Sequence, residues 1–78
     1  MKRIWFIVNP ISGTQDKSAI VAKIPEYFPE SRFAVEIIYT KYSGHAAEIA
    51  HMAVEQNVDI VVAVGGDGTV NETARALI

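Results

Sequence analysis

Eight consecutive residues, Gly65-Gly66-Asp67-Gly68-Thr69-Val70-Asn71-Glu72, combine the parts needed to hold a phosphate group. Phosphate oxygens require exposed backbone N–H donors, close approach of the main chain and positive potential. Glycines permit the approach, and a helix N-terminus supplies the donors and the dipole. Asp67 stands among the glycines as a carboxylate able to hold a magnesium ion through water or to accept from a ribose hydroxyl. Thr69 and Glu72 also have the spacing of a capping box, so Glu72 reads equally well as a helix cap. Capping leaves unexplained why three glycines surround an aspartate directly behind an apolar run.

Two further segments carry polar groups suited to a ligand. In Asn9-Pro10-Ile11-Ser12-Gly13, Asn9 offers an amide, and Ser12 and Gly13 offer backbone donors. The same residue types make ordinary turns. Thr40 with Ser43-Gly44-His45-Ala46 is, taken singly, a cap and a helix start.

The elements that must position these residues follow from periodicity. Residues 4–8 form a short β-branched and aromatic run closed by Asn9-Pro10, which reads as a buried strand. Residues 17–28 have Ile20, Ile24 and Tyr27 or Phe28 at helical spacing, with Pro25 expected to kink or shorten the helix. Residues 33–39 alternate, Phe33, Val35, Ile37 and Tyr39 against Ala34, Glu36 and Ile38, giving a strand with one partly polar face. Ser43 is placed to cap a helix reaching about Gln56, whose apolar stripe is Ala46, Ile49, Ala50, Ala53 and Val54. Asn57 is placed to close it in a left-handed turn. Residues 59–64 read as a third strand, apolar on both faces, and a last helix is expected from about Thr69 to the end.

This βαβαβα order implies a parallel sheet with helices on both faces, an α/β fold of three layers. Strands one and three, being wholly apolar, are expected to be central, and the strand carrying Glu36 to be an edge. The expected spatial order is 2-1-3, with 3-2-1 as the alternative. In the first order all three polar segments follow carboxyl ends of strands and share the rim where open α/β sheets bind ligands.

Composition narrows the function class. The chain has 78 residues, room for one small domain, and half of them are hydrophobic, so disorder is not expected. It has no cysteine, which fits a reducing compartment. A formal net charge of −2 argues against a nucleic-acid partner. Lys2 and Arg3 precede an apolar run, as in a signal peptide, but Asn9-Pro10 interrupts it and no small-residue cleavage site follows. No segment approaches the ~18 apolar residues of a membrane span. The expectation is a soluble, cytoplasmic protein.

Asn9-Pro10-x-Ser12-Gly13, then Thr40 with Gly44-His45-Ala46, then Gly66-Asp67-Gly68-Thr69-x-Asn71-Glu72, resemble the diacylglycerol kinase catalytic-domain family. That family includes bacterial lipid kinases and the sphingosine and ceramide kinases. The resemblance spans the whole chain in order and spacing, and the unbroken G-G-D-G-T-V-N-E run is its most specific part. It implies the N-terminal part of an NAD kinase/diacylglycerol kinase-like fold. It also implies ATP bound by Asn9, Pro10, Ile11, Ser12 and Gly13, by Thr40, and by Gly66, Asp67, Gly68, Thr69, Val70, Asn71 and Glu72. Magnesium, held through water by Asp67, would assist phosphoryl transfer to a lipid hydroxyl such as that of diacylglycerol, at the inner membrane face.

In the family the catalytic base and the lipid site belong to a second, largely β domain that cannot lie within these residues. Ile78 ends a helix without a C-cap, in keeping with a cut chain. The 78 residues alone are therefore expected to be inactive. In the 2-1-3 order they are also expected to self-associate through the open edge of the third strand.

Other signals and families fit less well. His45, Glu48 and His51 lie three apart, which sets the two histidines roughly 120° apart around a helix, poor for sharing one ion. Trp5, Phe6, Phe33 and Tyr39 read as packing residues. Ser12 lacks a histidine base and a G-x-S-x-G elbow, so hydrolysis is unsupported. NAD kinases share a G-G-D-G-T loop, but their Asn-Glu pair does not follow it directly and they lack the N-P-x-S-G turn. A non-catalytic nucleotide-binding module is the alternative outside the enzymes.

Overall fold

Residues 4–8 place an uninterrupted apolar segment at the centre of the sheet, all five side chains buried. The computed structural model describes residues 1–10 and 18–78. Its elements run β1 (Lys2–Val8), α1 (Ser18–Tyr27), β2 (Phe33–Tyr39), α2 (His45–Glu55), β3 (Ile60–Val64) and α3 (Asp67–Leu77). The strand order is β2-β1-β3, as the sequence pattern implies, and both pairings are parallel. Phe6 sits between Ile37 and Val62, and Val8 between Tyr39 and Val64. At the other end of the ladder the Asp59 N–H donates to the Arg3 carbonyl at 3.0 Å, and the Arg3 N–H to Asp59 Oδ2 at 2.8 Å.

Period-two alternation divides β1 between two cores. Trp5 and Ile7 pack with Ala46, Ile49, Ala50 and Ala53 of α2, joined by Ala76 of α3. Ile4, Phe6 and Val8 pack on the opposite face with Ile24 of α1 and, around it, Val21, Phe28, Phe33 and Val35. Phe28 meets Phe6 and Phe33 edge to face, with centroids 5.5 and 5.4 Å away. No helix among the described residues is long and apolar enough to cross a membrane.

Several sequence expectations change at the element ends. Strand β3, read as central, lies at a sheet edge, and its last four residues are half-buried. Helix α1 runs through Pro25 to Tyr27, and the Phe28 N–H donates to the Ile24 carbonyl at 2.9 Å, so the ladder resumes beyond the proline. Ile20 and Tyr27 are exposed, and with Ile24 and Phe28 they line an apolar groove beside Phe6. Val54 is likewise exposed, leaving four of the five expected stripe residues of α2 in the core.

Ser43 does not cap α2. The N-cap is Gly44 in the left-handed region at φ 87°, without a side-chain cap hydrogen bond. At the other end Asn57 has φ 57°, as expected of a C-terminal closure. The Val58 N–H donates to the Ala53 carbonyl at 2.9 Å and the Asn57 N–H to the Val54 carbonyl at 3.1 Å, the paired bonds of a Schellman motif. Helix α3 begins at Asp67, two residues before the expected Thr69, behind an extended Gly66 N-cap. The capping-box reading of Thr69 and Glu72 therefore falls: Thr69 lies inside the first turn.

Candidate functional site

The parallel ladder continues one residue past the strands. The Asn9 N–H donates to the Val64 carbonyl at 2.9 Å and the Thr40 N–H to the Val8 carbonyl at 2.8 Å. These two bonds set Asn9 between Thr40 and Gly65 on the carboxyl rim of the sheet. Asn9 Nδ2 then donates to Thr69 Oγ1 at 3.3 Å, tying the end of β1 to the first turn of α3. Thr69 is buried, and the Thr73 hydroxyl donates to its carbonyl at 2.8 Å.

This close approach depends on Gly65. A Cβ there would stand 2.8 Å from Thr69 Oγ1, 3.0 Å from Thr69 Cβ and 3.1 Å from Asn9 Cβ. At Gly68 a Cβ would meet nothing within 4 Å, so the main chain of the first α3 turn borders open space. Neither Gly66 nor Gly68 has positive φ, which Gly44 alone shows among the described glycines. Neither therefore needs a left-handed backbone, and at Gly68 the absent side chain leaves the main chain open.

That open space is a cavity of about 330 Å³. It is lined by Asn9 at the end of β1, by Thr40, Lys41, Tyr42 and Ser43 after β2, and by Gly68, Thr69 and Glu72 of α3. Glu72 Oε1 is buried without a hydrogen-bond partner among the described residues, 4.0 Å from where a Cβ on Gly44 would stand. A buried acceptor left unpaired is costly, and a ligand N–H or O–H would relieve it.

The loop between β2 and α2 is held in place by its own contacts. The Lys41 N–H donates to His45 Nδ1 at 2.9 Å, and the His45 N–H to the Tyr42 carbonyl at 3.1 Å. The Tyr42 ring stacks on the His45 ring with centroids 4.4 Å apart and planes 12° from parallel. The Tyr42 hydroxyl donates to Glu48 Oε2. That hydrogen bond, with some desolvation and the Glu48 charge, pushes the Tyr42 phenol above its ordinary pKa.

Five of the residues expected to bind ATP thus meet in one cavity: Asn9, Thr40, Gly68, Thr69 and Glu72. Gly66 caps α3. Asp67, Val70 and Asn71 are exposed on its first turns outside the cavity wall, and Pro10 is exposed just beyond β1. Ile11, Ser12 and Gly13 lie outside the described residues. Lys41 and Tyr42 also line the cavity although the motif reading did not select them, and Ser43 of the third polar segment joins them. Lys41 and Tyr42 have no spacing signal beyond lying between Thr40 and Gly44. No group of three His, Cys, Asp or Glu residues among the described residues could hold a metal ion by itself.

The sequence model of the diacylglycerol kinase catalytic domain family matches residues 3–78. A sphingoid long chain base kinase of Saccharomyces cerevisiae is 35% identical over 77 residues, covering 97% of this chain and 11% of that protein. A diacylglycerol kinase of Bacillus subtilis is 32% identical over 77 residues, covering 99% of this chain and 25% of its own length. The crystal structure of a diacylglycerol kinase from Bacillus anthracis superposes with a TM-score of 0.78 at 29% identity, over 96% of this chain and 27% of that one. The chain therefore spans about a quarter or less of the length of these relatives.

Proposed function

Because the chain belongs to the diacylglycerol kinase catalytic domain family, we propose that it is the ATP-binding, N-terminal part of a lipid kinase domain. The reaction it serves is phosphoryl transfer from ATP to a lipid hydroxyl, with diacylglycerol or a sphingoid base as the acceptor class. The observation that carries this reading is the convergence of three separate rim segments on one cavity with complementary chemistry at its two sides. At Gly68 and Thr69 the first turn of α3 presents main chain to open space, suited to phosphate oxygens. At Glu72 a buried carboxylate oxygen awaits a donor, which a nucleoside supplies through its hydroxyl or amino groups.

Magnesium fits the same rim. It is held by one or two carboxylates together with water and substrate phosphates, so a three-carboxylate cage is not needed. On this reading Asp67, exposed at the first position of α3, would hold it through water. When bound, the ion neutralises charge on the transferring phosphoryl group. The chain's own groups bind and orient: the α3 turn receives phosphate, the Asn9–Thr69 hydrogen bond fixes that turn against the sheet, and Glu72 holds the nucleoside.

Calorimetric titration with ATP and magnesium tests the reading. The chain should bind ATP. Gly68→Val should fold, since its Cβ enters open space, yet bind at least about tenfold more weakly because the side chain fills the cavity. Asp67→Asn should abolish the gain in affinity that magnesium brings. Absence of ATP binding by the folded chain, or unchanged affinity in Gly68→Val, would overturn the reading.

A further inference from the structure

The two sides of the rim cavity differ in what they can accept, and that difference orients a nucleotide within it. Glu72 Oε1 is a negative acceptor without a partner among the described residues, close against Gly44. It repels phosphate and requires a donor. The α3 turn at Gly68 presents main chain without side-chain bulk and carries the positive end of a helix dipole. The triphosphate therefore belongs at Gly68 and Thr69, and the nucleoside toward Glu72, one helical turn further along α3, and toward the loop between β2 and α2. A reversed nucleotide would bring its phosphates toward Lys41 but set them against Glu72 as well.

Resting on the reading of this cavity as a nucleotide site, we propose that Tyr42 is its base-stacking wall and determines affinity for the nucleobase. Tyr42 lines the cavity, and its ring is held before any ligand arrives. One face lies on His45 at 4.4 Å and the hydroxyl is tied to Glu48. The residue is nevertheless 58% exposed, so ring surface remains open to a ligand. An aromatic ring already fixed in place loses little side-chain freedom on binding, which favours it as a stacking surface. Lys41, the neighbouring cation, lines the same cavity.

The test compares ATP with inorganic tripolyphosphate, each with magnesium, by calorimetry on the wild-type chain, Tyr42→Ala and Tyr42→Phe. Loss of one stacked base contact weakens binding by roughly tenfold or more. Tyr42→Ala should therefore bind ATP about tenfold more weakly and tripolyphosphate within about twofold of wild type. Tyr42→Phe keeps the ring and should stay within about twofold of wild type for both. Unchanged ATP affinity in Tyr42→Ala would overturn the proposal. So would equal weakening of ATP and tripolyphosphate, which would assign Tyr42 to the phosphates. A wild-type chain that binds no ATP would overturn the nucleotide reading itself and this proposal with it, an outcome distinct from the other two.

Discussion

Replacing Gly65 by alanine should destabilise the chain, whereas the same change at Gly68 should not. The backbone at Gly65 has no positive φ, so alanine is conformationally permitted there and the penalty is steric. Its Cβ would stand 2.8 Å from Thr69 Oγ1 and 3.1 Å from Asn9 Cβ. Neither neighbour is the loose tip of a flexible side chain. Thr69 is buried, its hydroxyl accepts from Asn9 Nδ2, and its carbonyl accepts from Thr73. Relief requires moving the first turn of α3 away from the sheet and stretching the Asn9–Thr69 bond. Overpacking of this kind costs about 1–3 kcal/mol, and a lost hydrogen bond about 1 kcal/mol more. For a domain of this size each kcal/mol lowers Tm by about 4–8 °C, so Gly65→Ala should melt roughly 8–30 °C below wild type. Gly68→Ala enters open space within a helix and should gain about 0.5 kcal/mol. Thermal unfolding followed by far-ultraviolet circular dichroism reads both. A Gly65→Ala chain as stable as wild type, or a Gly68→Ala chain equally destabilised, would refute the packing described for the rim.

Three further predictions rest on other parts of the chain. Asn57→Ala should lose about 1 kcal/mol because alanine resists the φ of 57° that closes α2, while Asn57→Gly should be neutral or better; urea unfolding separates them. At the open edge of the sheet, β3 has no charged residue, so the wild-type chain should gain mass with concentration in sedimentation runs, and Ile60→Lys, at a position 38% exposed, should suppress this. Glu48→Gln should bring the Tyr42 phenol down toward 10.0 in an alkaline titration of tyrosinate absorbance, since the Glu48 hydrogen bond is the main cause of its rise. The sign follows from linkage: a pKa raised in the folded state gives stability that is present below 10.0 and lost as pH climbs through the folded value, and the variant should lose less.

Much of the fold was legible because single features decided it. The unbroken apolar run of β1 required neighbours on both sides, and Glu36 marked β2 as an edge. Asn57 was legible because few residue types adopt positive φ. The helix starts were not. Serine and threonine suggested side-chain caps, but Gly44 and Gly66 occupy both N-cap positions. At α2 the loop is held by the His45 ring accepting from the Lys41 main chain, a contact that sequence spacing does not announce. In the site, the motif residues Asn9, Thr40, Gly68, Thr69 and Glu72 were legible by type and order. Asp67, Val70 and Asn71 share the motif but do not line the cavity, because a helix starting at Asp67 distributes its residues around an axis. Tyr42 became visible beside the cavity only through tertiary approach.

The central claim is that ATP occupies the cavity at the carboxyl rim of the sheet, and mapping amide shifts by nuclear magnetic resonance during an ATP titration tests it most directly. The expected result is saturable shifts concentrated at Asn9, Thr40, Tyr42, Ser43, Gly68, Thr69 and Glu72, with little change at Ile24 and Phe28 on the opposite face of the sheet. Shifts centred on the apolar groove of Phe6, Ile20, Ile24 and Phe28, or no saturable shifts in a folded chain, would contradict it.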